Sequence, residues 1–434
     1  MTGRKRWIII LVLLLANMIN YTDRINISAA GPEIAHAFDL GPGVMGVVFA
    51  CFFYAYVPCL IPAGILTDKW GAGNALGAGM VFWAIASAMT GAAMGLTSLI
   101  VARLLLGAGE SSSYSAGNRI VREWAPRSER GVMTATFVCG ATAGPALGYP
   151  IVSYLIATYN WRVSFYVLAA LTLAWVGVWF LVYRSPERLS WLGKEERDYI
   201  LTNREPISTE KTTKPVKVMT LPSLLRQPAM WGLAFTNGSH AYSVYLFLTW
   251  LPSYLRNVRH VDLFAAGWLA TLPYAVTTVG MIVLSFLSDY LLKGVDLSTG
   301  ARRYLMFVFM LLASCVILIP FTENMVLMEI LVCCSIMFAM TANSLNYALA
   351  GDLIHDKSSA GTVFSITLVG GNIFGIIAPM LTGFIIAWTH EYTMSFVVAG
   401  ALMLLGIAVS WILVRRPLQP VQAHDVVTGQ TSVA

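Results

Sequence analysis

The sequence predicts an all-α integral membrane protein with twelve transmembrane helices in two six-helix pseudo-symmetric halves. Three observations predict it. Of 434 residues, 57% are hydrophobic and 12% charged, about half the roughly 25% charge of soluble proteins, and mean hydropathy is +0.69. The apolar residues fall in runs close to the roughly 20 residues that span a bilayer. The basic residues collect on one side of those runs. This composition excludes a disordered chain, a secreted disulfide scaffold and an ordinary soluble enzyme.

In chain order the runs are 7–28, 44–66, 75–94, 98–117, 132–158, 163–183, 228–255, 264–292, 304–321, 325–350, 362–388 and 393–414. Glycine and proline fall inside many of them, which membrane helices tolerate better than soluble ones. Arg4, Lys5 and Arg6 precede the first run as in a signal peptide. No small-residue cleavage site follows, so a retained first span is expected. All six cysteines lie in apolar runs without metal or redox spacing and are expected to pack. Residues 1–183 are read as one half, 184–226 as a cytoplasmic linker, 227–414 as the other half and 415–434 as a cytoplasmic tail. The linker carries Pro186, Pro206, Pro215 and Pro222, and Lys194–Arg197 is expected to open a short surface helix.

With twelve spans both termini share a side. That side holds 23 of the 28 Lys/Arg residues, so the positive-inside rule makes it cytoplasmic. The opposite side holds only Arg162, Arg256 and Arg259, in short loops without a glycosylation sequon. A bacterial inner membrane fits this pattern, and topology accounts for the net charge of +6 without nucleic acid. Two weak repeats support the 6+6 layout. Residues 64–68 (GILTD) have a counterpart at 285–289 (SFLSD), and Gly140-x3-Gly144 has one at Gly371-x3-Gly375.

Four ionisable groups stand at bilayer depth: Asp23 and Arg24 in the first span, Arg103 and Glu110 in the fourth. Each costs about 2.5–3.5 kcal/mol on insertion scales, which makes a functional pathway the default over a packing network. Arg103 and Glu110 are seven residues apart and share a face. Asn17, Tyr21, Arg24 and Ser28 form one stripe, with Asp23 about 100° away and free to face a neighbouring helix. An arginine stays protonated and suits permanent, bidentate binding of a carboxylate. A carboxylate that alternates between hydrated and dry settings can load and unload a proton, so Asp23 and Glu110 are the candidates for that role. Tyr56, Asn343, Ser344, Asn346, Tyr347 and Asn372 are candidate ligand contacts. His240 is a candidate proton or anion contact, and Glu329 is expected at the interface. Gly140, Gly144, Gly148, Gly371 and Gly375 are expected to allow close helix approach.

At these residues the chain resembles the major facilitator superfamily. Gly64-x3-Asp68-Lys69-x-Gly71 is similar to its conserved cytoplasmic gating loop, although Ala72, Gly73 and Asn74 stand where basic residues usually follow. Within the superfamily it resembles the anion:cation symporter family, which includes sugar-acid transporters and vesicular glutamate and sialic-acid transporters. The matching residues are Asn20-Tyr21-Thr22-Asp23-Arg24, Arg103-x6-Glu110, Asn118-Arg119, Trp124-Ala125-Pro126, Glu129-Arg130-Gly131, Trp161-Arg162 and Phe247-Leu248-Thr249-Trp250-Leu251-Pro252.

The resemblance implies proton-coupling roles for Asp23 and Glu110, a substrate-carboxylate anchor in Arg24, and a charge partner in Arg103. It implies polar ligand contacts at Tyr21, Tyr56 and Asn372. Ala141 stands where galactonate-type transporters carry a glutamine, which favours a less hydroxylated anion: a dicarboxylate, aromatic acid or sulfocarboxylate. The expected function is import of a small organic anion (a carboxylate such as a sugar acid, a dicarboxylate, an aromatic acid or a sulfocarboxylate) by proton symport with alternating access. The proton is the coupling ion, no other cofactor and no metal is expected, and the protein is read as a monomer. Two alternatives stand beside it. One is a proton-coupled drug antiporter, suggested by Gly140-x3-Gly144-Pro145-x2-Gly148. The other is a non-transporting anion receptor on the same scaffold. A membrane enzyme is not expected.

Overall fold

The structure is a computed structural model that describes residues 4–189, 191–204, 221–295, 300–354, 360–415 and 418. Residues 205–220 of the expected linker and nearly all of the expected tail lie outside the described residues. The helices are α1 (Arg6–Ala29), α2 (Gly31–Phe38), α3 (Pro42–Trp70), α4 (Ala72–Gly91), α5 (Leu96–Glu110), α6 (Ser112–Trp124), α7 (Arg130–Thr158), α8 (Trp161–Val182), α9 (Lys194–Asn203), α10 (Leu221–Leu225), α11 (Pro228–Asn257), α12 (Leu263–Leu291), α13 (Arg302–Ala313, continued as a 3-10 helix to Phe321), α14 (Met325–Asp352), α15 (Ala360–Thr389) and α16 (Thr393–Leu413).

Ten of these segments are long and apolar enough to cross a membrane by themselves. Two more complete the expected twelve. The α5–α6 pair is interrupted only at Ser111, which keeps helical dihedrals (φ −59°, ψ −25°) and turns its hydroxyl back to the Ala108 carbonyl. Residues 96–124 therefore form one span, longer than the apolar run within it. In α11 a polar stretch from Thr236 to Ser243 dilutes the hydropathy of a 30-residue helix.

The described residues divide into two compact units. The first comprises 1–209, 245–278 and 376–395; the second comprises 210–244, 279–375 and 396–434. The division cuts α11, α12 and α15 within their lengths. The first unit has a core around Ile9, Phe52, Trp83, Trp124, Phe137 and Trp179. The second packs Met230, Leu233, Met306, Met310, Leu345 and Leu349 around α11, α13 and α14.

Glycine spacing explains the tightest pairing in the first unit. A Cβ at Gly140, Gly144 or Gly148 of α7 would stand 2.8, 2.7 and 2.8 Å from Asn17, Met18 and Thr22 atoms of α1. No side chain fits there, so the expected close approach is realised. Gly371 likewise meets Asn237 within the second unit.

Candidate functional site

Among the buried polar residues of helix α1, Asn17, Asp23 and Arg24 are each anchored on a different neighbour. Asn17 Nδ2 donates to the Phe137 carbonyl of α7 (2.9 Å). Asp23 Oδ1 accepts from Ser87 Oγ of α4 (3.1 Å). Arg24 Nε donates to Glu110 Oε2 of α5 (2.8 Å). Asp23 thus faces a neighbouring helix while Arg24 points elsewhere, as the 100° offset requires. Asp23 and Glu110 are 1% and 0% exposed, and Arg24 is 6% exposed.

Aromatic rings surround the Arg24 guanidinium. Its Cζ lies 4.8 Å from the Tyr21 ring centroid, 4.6 Å from Phe52 and 4.9 Å from Tyr56. Phe52 and Tyr56 are one turn apart on α3 and stack at 5.2 Å. The Phe52 ring also takes Arg103, at 5.5 Å, so one ring serves two cations. In a desolvated setting such contacts reach about 2 kcal/mol or more each. The Tyr21 hydroxyl lies 3.2 Å from the Tyr114 hydroxyl. Tyr114 is one turn beyond Glu110 on the continuous 96–124 span.

Arg103 lies in electrostatic range of Glu110, Asp23 and Cys51. Two acids and two bases therefore converge, as their spacing predicts. Their hydrogen-bonding capacity is far from used. Asp23 Oδ2, Glu110 Oε1, Arg24 Nη2, and Arg103 Nε and Nη1 are buried and have no protein partner among the described residues. Buried polar atoms are usually paired, and charged ones cost most when they are not. Such a cluster suits exchange of protons, water and a charged ligand better than it suits static packing.

The residues of the expected gating loop fall into three groups. Asp68 pairs with Arg119 of α6, whose Nε also holds Glu123 at 3.1 Å. Gly71 joins α3 to α4 at φ +83°, a conformation that favours glycine. Gly64 has open space around it, and Lys69 is exposed.

Asn346, Tyr347 and Asn372 belong to the second unit. There Asn346 Nδ2 donates to the Leu233 carbonyl of α11 (3.1 Å), and Asn372 Nδ2 to the Leu368 carbonyl of its own helix (3.1 Å). Tyr347 packs against Phe364 at 6.3 Å. Asn343 Oδ1 accepts from Asn237 (2.7 Å). His240 is fully buried, and neither ring nitrogen has a protein partner among the described residues. Glu329, expected at the membrane interface, stands near the start of α14 and is buried, with neither carboxylate oxygen partnered by protein among the described residues.

Ser87, Phe52 and Tyr114 are not singled out by the sequence. Phe52 and Tyr114 are recoverable, since each stands one turn from a residue that is. Ser87 carries no such signal, because serine is common in membrane helices.

Comparison with known proteins fits this arrangement. The family model described as Major Facilitator Superfamily matches residues 13–379. A probable sulfoacetate transporter, SauU, of Cupriavidus necator is 30% identical over 98% of this chain and 97% of its own length. A probable L-galactonate transporter of Escherichia coli is 27% identical, covering 94% and 89%. Among solved structures, a bacterial homolog of the human lysosomal transporter Spinster superposes with a TM-score of 0.74 at 17% identity, covering 96% of this chain and 98% of that one. The family is one of transporters, not enzymes, and the chain belongs to the major facilitator superfamily.

Proposed function

We propose that the protein imports a small organic anion together with protons, by alternating access, across a bacterial inner membrane with both termini cytoplasmic. The observation that carries this reading is the Arg24–Glu110 pair. Arg24 is the anion anchor, yet its Nε is already given to Glu110. An incoming carboxylate or sulfonate must share or take that guanidinium, and two anions on one cation repel. Protonating Glu110 removes the competitor, so proton and anion bind cooperatively. Deprotonation on the other side restores the pair and expels the cargo. Asp23 is the second proton-coupling acid and Arg103 the cation that restrains both. Arg24 Nη2 has no protein partner among the described residues and is the donor left for the cargo.

The halves are residues 1–183 and 227–414, joined by 184–226, with 415–434 a tail; the working unit is a monomer. Asn346, Tyr347 and Asn372 supply further ligand contacts, and the proton is the coupling ion without another cofactor. The cargo is small and sparingly hydroxylated. Ala141 offers no amide to read hydroxyl groups, the rings beside Arg24 present flat apolar faces, and a 30% identical relative bears the name of a probable sulfoacetate transporter.

Proteoliposomes with an acidic exterior test this reading, with sulfoacetate, malonate, benzoate and L-galactonate as probes. Accumulation of at least one probe that collapses with the proton gradient is expected, with Arg24→Ala losing binding. Extrusion under the same gradient would support an antiporter. Binding without counterflow would support a receptor. Unchanged affinity in Arg24→Ala would remove the anchor.

A further inference from the structure

The structure assigns Ser87 of α4 as the positioning residue that sets the proton affinity of Asp23. This rests on the role proposed above for Asp23 as a proton-coupling acid.

Serine and threonine hydroxyls in helices commonly donate to their own carbonyl one turn back. Thr90 of the same helix does so, to Ala86 at 3.0 Å. Ser87 instead points across to α1 and gives its only proton to Asp23 Oδ1 at 3.1 Å. Both residues are 1% exposed, so bulk water does not substitute for this bond. It is the only direct hydrogen bond given to the carboxylate among the described residues, and Oδ2 has none. Trp83 stands one turn earlier on α4, fully buried, with its indole N–H near the same carboxylate but not bonded to it. α4 thus forms a wall with one engaged donor and one close by.

The charged groups that face Asp23 are Glu110 and Arg103 of α5. Arg24 follows on α1 and is engaged by Glu110. On α8, Arg162 is held by the Gly91 and Ala93 carbonyls at 2.9 and 2.6 Å. On α7, Tyr149 is held by the Leu248 carbonyl at 3.1 Å. Among the described residues Arg103 makes no compensating hydrogen bond through Nε or Nη1. Ser87 therefore supplies the local donor that an ionised Asp23 needs.

A hydroxyl donated to a carboxylate favours its ionised form, and more strongly than it favours the neutral acid. Without it, Asp23 holds its proton more tightly. Loading then persists to higher pH, while release to a neutral cytoplasm slows. Ser87 thus matches the acid to a cycle that must both capture and discharge a proton.

Infrared pH-difference spectroscopy on the reconstituted full chain tests this without knowledge of the cargo. The carboxylic C=O band of Asp23 is identified as the one lost in Asp23→Asn. In Ser87→Ala its titration midpoint moves about one pH unit alkaline, a tenfold gain in proton affinity. Ser87→Thr, which keeps the hydroxyl, restores the wild-type midpoint. Ser87→Cys, near in size with a weaker donor, falls between them and carries the test if the alanine variant does not fold. A band that is present but unmoved in Ser87→Ala and Ser87→Cys overturns the assignment of Ser87 alone. Absence of any band sensitive to Asp23→Asn overturns both this inference and the role of Asp23.

Discussion

Arg24 donates Nε to Glu110 and lies against three aromatic rings, so its charge is held by geometry as well as by its counter-ion. Removing one partner of a buried pair typically costs about 3–5 kcal/mol, because the other charge is left uncompensated. Glu110→Gln is the sharper probe, since it keeps the shape and deletes only the competing charge. Anion affinity at neutral pH should rise, about tenfold or more, and should lose its dependence on pH. Exchange of labelled cargo at equal pH should survive, while uptake driven by a proton gradient should fail. Isothermal titration at several pH values, paired with exchange and gradient-driven uptake, reads all three; equal loss of exchange and uptake would make Glu110 structural. The charged quartet was readable from sequence because each member is costly at bilayer depth and so needs a reason. The aromatic lining was only half readable. Tyr21 and Tyr56 carry hydroxyls that draw attention, whereas Phe52 is one phenylalanine among twenty and is identified by its contact with two guanidinium groups.

Helix positions followed closely from apolar runs, because every backbone polar group in lipid must be satisfied within its own segment. What sequence could not show is how helix ends are completed across the chain. The expected surface helix exists as α9, but it is docked: Ile200 is fully buried and Glu196 nearly so. The Glu196 carboxylate accepts the backbone N–H of Lys5 (3.2 Å) and Arg6 (3.0 Å), and the Arg6 guanidinium at 3.0 Å. It thereby caps the start of α1, whose own Lys5 supplies no side-chain cap. Capping residues are sought beside the helix they cap, and this one is 190 positions away. Arg6 is also bidentate to Glu129 at 3.0 and 2.6 Å, tying α1 to the start of α7. The Arg6 guanidinium holds the Glu129 carboxyl below the usual carboxylate range. A carboxyl with a depressed pKa contributes stability above its unfolded value, about pH 4.3, and that contribution is lost as pH falls further. Arg6→Gln should therefore melt lower than wild type at pH 7, and the gap should narrow below about pH 4. Thermal unfolding of the two proteins in matched detergent from pH 7 to 3 measures it; a gap constant across that range would separate Glu129 from the stabilisation.

At the scale of the molecule, alternating access requires some packed surface to part. The first unit contains segments from both six-helix halves, and the contacts between them are specific. Pro252 deprives the Leu248 carbonyl of its usual helical N–H, and Tyr149 of α7 takes that carbonyl instead (3.1 Å). Ser28 of α1 donates to the next carbonyl, Thr249, at 2.8 Å. Glu33 of α2 pairs with Arg256 of α11. On α3, Gly46 approaches the Pro379 carbonyl of α15 so closely that a Cβ would stand 2.5 Å from it. In the proposed cycle these contacts form and break with every turnover. A Cβ at Gly43 would lie 3.7 Å from that of Ala387, inside the roughly 3.5–4.5 Å window of disulfides. The Phe384 ring, 3.2 Å from the same point, needs to shift by only a few tenths of an ångström. The double variant Gly43→Cys/Ala387→Cys should therefore oxidise readily and lose transport, and a reductant should restore it. Each single variant should be insensitive to oxidant, which controls for the six free cysteines. Cargo binding should survive in the oxidised protein, because the bond leaves Arg24 and Glu110 untouched. Transport at an undiminished rate with the disulfide formed would mean that this surface never opens and that the anion takes another route.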